Sequence, residues 1–245
     1  MNLLQIRQWF VNESGRFDLV VDAASDNWTD KGANAYINAG QRMLDRMQET
    51  PKTLGRNFQM VSAGYYHVLF QDCRAIKEVW AVNAATGRKK LEKKDMSWLR
   101  GYYNNMVTIE RGAPVYYAPA RLRTAPGLHS SVISTLTGLL AYMDVSVTSH
   151  YLYNGILFLP PVDSDYMIET WGNFYSTQLV ADTDESHWSV QHPELLVMAA
   201  QCVLEKFRRN TEGVKDWIAS IKMHLQEIDF DLAEEDMTDI TQMEG

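Results

Sequence analysis

The stretch WTDKGANAYINAGQRMLDRM, residues 28–47, places Ala33, Tyr36, Ile37, Gly40, Met43, Leu44 and Met47 at steps of three and four. That spacing is one apolar stripe on an α-helix. Asp26 or Asn27 is positioned to cap it, and Pro51 lies just beyond its end. Upstream, Leu3, Ile6 and Phe10 share a face of a shorter helix that Gly15 stops. At the other end of the chain, Pro193 suits a first helical turn, where its missing N–H would be unpaired in any case. Leu196, Ala199, Ala200, Val203 and Phe207 continue that helix. After a break at 210–213, Val214, Trp217, Ile218, Ile221, Leu225 and Ile228 form another stripe. Stripes on separate helices need a shared partner, so Ile37, Leu44, Val203, Trp217 and Ile221 are expected to face one another.

The middle of the chain has a different pattern. Ile76–Val82, a turn at 84–87 and Arg88–Leu91 predict a β-hairpin. Val115–Leu122, Gly155–Leu159 and Tyr166–Tyr175 are rich in β-branched and aromatic residues and bounded by Gly, Pro and Asp. A short helix is expected over Met96–Met106, capped by Asp95. Residues 127–150 hold eight Ser or Thr in 24 positions, which fits an extended hairpin or a long loop. The expected fold is α+β. A helical bundle from residues 1–55 and 190–228 receives a β-rich, antiparallel insertion over 56–189, and an acidic tail follows over 229–245.

The chain has 245 residues, 46% apolar and 22% charged, as in an ordinary globular protein. Its net charge of −8 is unevenly placed. Residues 226–245 hold eight acids and no Lys or Arg, leaving 23 acids against 23 bases in the other 225 residues. A balanced body does not call for nucleic acid as a partner. No apolar run approaches the ~18 residues of a membrane span, so no membrane partner is expected, and Gln5, Arg7 and Gln8 interrupt what would be a leader's apolar core. Cys73 and Cys202 have no metal or redox spacing and suit a reducing cytoplasm.

Chemistry-bearing patterns are sparse. The six histidines lack ligand spacing, and His187 and His192 are five apart. Asp182, Asp184 and Glu185 open like a calcium loop, but His187 stands where its glycine belongs. Asp163, Asp165 and Glu169 are conceivable paired acids of a glycosidase, although turn formation accounts for the first two. No phosphate loop, dinucleotide fingerprint or nucleophile elbow occurs, so neither enzyme activity nor a cofactor is expected. Arg88, Lys89, Lys90, Lys93 and Lys94 form the single basic cluster, readable as a solvated hairpin edge or as a DNA or partner contact. The aromatics of 98–103 and 171–175 are expected in the core.

The order of several blocks resembles the adaptor proteins of the tailed-bacteriophage head-to-tail connector. They are Phe17–Val20, Asn27–Asp30, Tyr36–Asp45, Gly112–Tyr117, Leu157–Asp163, Asp182–Trp188, His192–Ala200 and Arg208–Gly213. The resemblance implies a structural virion protein, made in the host bacterial cytoplasm. It implies a homo-oligomeric ring, commonly a dodecamer of twelve copies, docked on the portal protein and joining it to a tail-side component. Non-specific contact with passing genomic DNA is conceivable in such a ring. Within the acidic tail, Asp229, Phe230, Asp231, Leu232, Glu234, Glu235, Met237 and Ile240 are the expected portal-binding residues, because acids there alternate with apolar anchors. A tail terminator or another tail-tube-associated protein is the alternative reading.

Overall fold

A computed structural model describes residues 1–47, 54–70, 73–104, 108–122 and 153–238, with the backbone alone at 54, 70, 120–122, 153–154 and 229–238. The expected loop or hairpin at 127–150 lies outside the described residues. The fold is α+β, with six helices among the described residues and largely antiparallel sheets. It divides into two compact units, Met1–Thr53 with Tyr175–Gly245, and Leu54–Phe174. Residues 175–189, expected in the β-rich insertion, therefore belong to the helical unit.

The helical unit begins with α1 (Leu3–Ser14), where Asn2 and Gln5 form a reciprocal capping box and Gly15 closes the helix at φ 63°. Strands β1 (Val20–Asp22) and β2 (Asn27–Asp30) pair next, so helix α2 (Ala33–Met47) starts later than residue 28. Asp30, rather than Asp26 or Asn27, caps it: its Oδ1 accepts from Gly32 N at 3.0 Å and Asn34 N at 2.9 Å. Helices α4 (His187–Gln191), α5 (Pro193–Phe207) and α6 (Thr211–Thr238) complete the unit.

Ile37 and Leu44 of α2, Ala199 and Ala200 of α5, and Ile221 and Leu225 of α6 share one apolar cluster with Leu3, Ile6 and Phe10 of α1. The expected facing set needs two corrections, and the stripe of α5 a third. Val203 is buried outside that cluster, Trp217 packs at its rim only partly buried, and Phe207 is 73% exposed, edge-on to Tyr36 at 5.5 Å. Helix α6 does not stop at Ile228. No Gly or Pro occurs from 214 to 244, and Leu232, Ala233, Glu234 and Glu235 favour helix, so the backbone stays helical to Thr238.

A polar row on α2 grips the returning chain. Asn38 exchanges two hydrogen bonds with the backbone of Leu179, accepting from its N–H at 2.8 Å and donating to its carbonyl at 2.9 Å. Gln41 donates to the Thr177 carbonyl at 2.8 Å. Buried Asp45 accepts from Ser176 N (2.8 Å), Ser176 Oγ (2.9 Å) and Trp188 Nε1 (2.7 Å). Arg7, 1% exposed, donates to Asn34 Oδ1, the Trp28 carbonyl and Asp182 Oδ1 at 2.7–2.9 Å. Asp184 accepts from the N–H groups of Val180 and Ala181, both at 2.8 Å, and these hold its carboxyl below the usual carboxylate range. Asp182 and Asp184, two of the acids that imitate a calcium loop, thus serve as a latch.

The β unit contains two four-stranded sheets. The first orders β3 (Leu54–Val61), β10 (Tyr166–Phe174), β5 (Cys73–Asn83) and β6 (Gly87–Lys90), all antiparallel. The second orders β4 (His67–Phe70), β9 (Tyr153–Leu159), β8 (Tyr116–Leu122) and β7 (Glu92–Lys93), with β7 parallel to β8. Val79, Ala81 and Ile168 of the first share a core with Val68, Tyr117, Ile156 and Phe158 of the second. Leu99 of α3 (Met96–Tyr102) packs with Ala118, Leu157 and Leu159 of the second sheet. Asp95 precedes α3 without a side-chain capping bond. The expected hairpin is present, with Asn83 opposite Gly87.

Helices α2 and α5 approach closely at Gly40, where an added Cβ would lie 2.7 Å from Ala200 N. A helical Gly→Ala change ordinarily stabilises by about 0.5–1 kcal/mol. Here overpacking reverses the sign, and Gly40→Ala is expected to destabilise by about 1–3 kcal/mol in urea denaturation. The lowered pKa of Asp184 adds stability above the ordinary carboxylate range, lost as pH falls through the folded-state value. Asp184→Asn should therefore flatten the acid limb of a melting-temperature profile below about pH 4.

Candidate interaction surface

Side chains alternate across the first sheet, because successive residues of a strand point to opposite faces. Ile168 and Thr170 are buried, whereas Met167, Glu169 and Trp171 take the alternate positions on β10. In register with them are Met60, Phe58 and Arg56 on β3, and Val82, Trp80 and Glu78 on β5. Strand β6 extends two of these rows with Arg88 opposite Val82 and Lys90 opposite Trp80. The outer face thus combines cations, aromatics and thioethers.

Glu169 organises it. Its carboxylate is 3% exposed on an outward row, because two guanidiniums roof it. Arg56 lies 3.2 Å away, Arg88 2.9 Å, and the Trp171 indole N–H donates at 2.7 Å. Each guanidinium also lies over aromatic rings: Arg56 is 4.5 Å from the Trp171 centroid and 4.6 Å from that of Phe58, and Arg88 is 4.3 Å from that of Trp80. Planar Arg satisfies both demands at once, bonding in its plane and stacking through its face. Beside them Glu78 accepts from Lys90 and from the Trp80 indole, chiefly Lys90, and is held below the usual carboxylate range.

The five basic residues do not form one patch. Arg88 and Lys90 belong to this sheet face, already ion-paired. Lys94 pairs with Glu92 and lies 5.1 Å from the Trp98 ring centroid. Lys89, in register with Ala81, and Lys93 are exposed. The aromatics expected in the core divide: Tyr103 and Phe174 are partly buried against core clusters, whereas Trp98 and Tyr102 are at the surface. Trp98 and Tyr102 are 38% and 64% exposed and stacked 4.9 Å apart, while Trp171 lies beneath Arg56.

Asp163 and Asp165 are exposed on a turn, where Asp163 accepts from Ser164 Oγ and the Asp165 carbonyl accepts from Asn83. Glu169 stands apart in function from both, its oxygens held by Arg56, Arg88 and Trp171. Of the tail residues, Asp229, Phe230, Asp231, Leu232, Glu234, Glu235 and Met237 lie on the helical backbone of α6, and Ile240 lies outside the described residues. Among the described residues no helix is long and apolar enough to cross a membrane. Nor does any group of three His, Cys, Asp or Glu among them stand together to hold a metal.

Sequence reading overlooked Arg56, Phe58, Met60, Glu78, Trp80 and Glu169 as one surface. The available signal was the matching alternation in three strands, each with charged and large apolar side chains at every second position. No protein-family model matches this chain, and no curated protein matches it in sequence.

Removing the anion beneath two cations leaves them facing each other without their shared partner. Breaking a fully buried pair costs about 3–5 kcal/mol. Both arginines here are half-exposed, and water softens the loss. Glu169→Ala is expected to cost about 1–3 kcal/mol in urea denaturation.

Proposed function

We propose that this chain is an adaptor of the tailed-bacteriophage head-to-tail connector, forming a ring on the portal protein and joining it to a tail-side component. One observation supports this reading above others. The resembling blocks fall, in chain order, on positions that hold the fold together. Asn27–Asp30 contains the cap of α2. Tyr36–Asp45 contains Asn38, Gln41 and Asp45, the row that grips the returning chain. Asp182–Trp188 contains the partners of Arg7 and Asp45. Leu157–Asp163 leaves β9, and Gly112–Tyr117 enters β8.

In this reading the acidic C-terminal segment is the portal-docking element, its acids meeting bases on the portal and its apolar residues anchoring in a groove. Charged docking weakens as salt shortens the screening length from about 10 Å at 0.1 M to about 3 Å at 1 M.

Co-expression with the portal protein, followed by electron microscopy, should show a ring of this chain on the portal. Truncation after Ile228 keeps Ile221 and Leu225, the buried residues of α6 among those whose side chains are described, so the melting temperature should stay nearly unchanged while portal binding is lost. A truncated protein that binds portal as well as the full chain overturns the role given to the tail.

A further inference from the structure

We propose that the outer face of the β3–β10–β5–β6 sheet binds the acidic C-terminal segment, residues 229–245, of a second copy of this chain. This inference does not depend on the adaptor reading.

The face offers both apolar and cationic contacts. Phe58 is 46% exposed and Met60 70%, with Met167 and Val82 completing the row of Met60. The side chains of Arg56, Arg88 and Lys90 are 49%, 48% and 52% exposed. Glu169 is buried beneath them, so among these ionised groups three cations meet solvent against one acid, Glu78 at 41%. Exposed apolar side chains grouped in this way mark interaction surfaces.

The aromatic geometry selects the occupant. Unpaired nucleobases bind by stacking on open aromatic faces. Here Arg56 lies over the rings of Phe58 and Trp171, and Arg88 over that of Trp80. The side chains of Arg56, Arg88 and Lys90 remain half-exposed, and Met60 is 70% exposed. Guanidinium edges held in place suit carboxylates, and Met60 suits an aliphatic or aromatic side chain between them.

One segment of this chain has that composition. Residues 229–245 carry seven acids and no base, interleaved with Phe230, Leu232, Met237, Ile240 and Met243, while the rest of the chain is nearly charge-balanced. Phe230, Ala233, Met237 and Ile240 recur at steps of three, four and three, the spacing of one helix face. The backbone is helical through Thr238. An amphipathic helix laid on an open sheet face is an ordinary two-layer packing. The contact is between two copies of the chain. It is a heterologous contact, which closes into a ring or extends into a filament. A portal that takes the segment competes with this face.

A fluorescein-labelled peptide of residues 229–245, titrated with the full-length protein and followed by anisotropy, tests the proposal. The peptide should bind, and raising salt from about 0.1 M to about 0.5 M should weaken it roughly tenfold or more. Met60→Glu and Lys90→Glu, both at exposed positions, should each weaken it about tenfold while the melting temperature stays within about 2 °C of wild type. A peptide carrying Glu234→Lys and Glu235→Lys should regain affinity for the Lys90→Glu protein. The proposal is overturned by absent binding, by equal binding to a folded Met60→Glu/Lys90→Glu protein, or by binding indifferent to salt. A face that takes a single-stranded oligonucleotide but not the peptide overturns it in favour of nucleic acid. Any of these failures leaves the portal experiment untouched.

Discussion

The carboxylate of Asp45 lies inside the helical unit with three donors on it, the N–H and hydroxyl of Ser176 and the indole N–H of Trp188. These partners are more than 130 positions away along the chain, and a whole β unit intervenes. A buried carboxylate without such donors is strongly disfavoured, so α2 is poorly satisfied until the returning strand arrives. The same dependence repeats along one helix face, at Asn38 with Leu179 and at Gln41 with Thr177. Arg7 extends it to α1 through Asp182. Apolar burial drives α1, α2, α5 and α6 together, and this polar seam fixes the path of the returning segment.

Sequence periodicity located the helices because their buried positions repeat at the helical step. Gly15 and Pro193 act where helix chemistry puts them. The start of α2 was misjudged, since Asp26, Asn27 and Asp30 are equally good cap residues in isolation. The choice falls to Asp30 because Asn27–Asp30 pairs with β1, a non-local fact. Phe207 and Trp217 continued apolar stripes yet sit at or beyond the edge of the core, since a period shows which face a residue shares and not how far the partner helix reaches. Asn38, Gln41 and Asp45 drew no attention in the sequence, because their partners at 176–179 and Trp188 lie more than 130 positions away.

The interaction surface was harder to see. Trp80 and Trp171 carry enough apolar area to suggest burial, and in most proteins that inference is sound. Here each is covered by a guanidinium instead of by another layer, and those guanidiniums are held by Glu169, four positions beyond the exposed Asp165. An acid, a cation and a ring from separate strands satisfy one another, and pairwise spacing within any one strand does not reveal it. The basic residues of 88–94 likewise looked like a single cluster in the sequence. Strand alternation and the crossing at Leu91 distribute them among different neighbours.

The division of the helical unit by the β unit has a kinetic side. Helices α1 and α2 leave the ribosome well before α5 and α6, with about 120 residues translated between residues 53 and 175. At elongation rates of roughly 5–20 residues per second, that interval lasts on the order of ten seconds. During it Ile37 and Leu44 lack the α5 and α6 side chains that bury them in the finished unit. The β unit, a continuous segment, can close in that time. Nascent chains of this protein therefore carry an unpartnered amphipathic pair of helices, the kind of surface that holding chaperones cover, until the last quarter of synthesis.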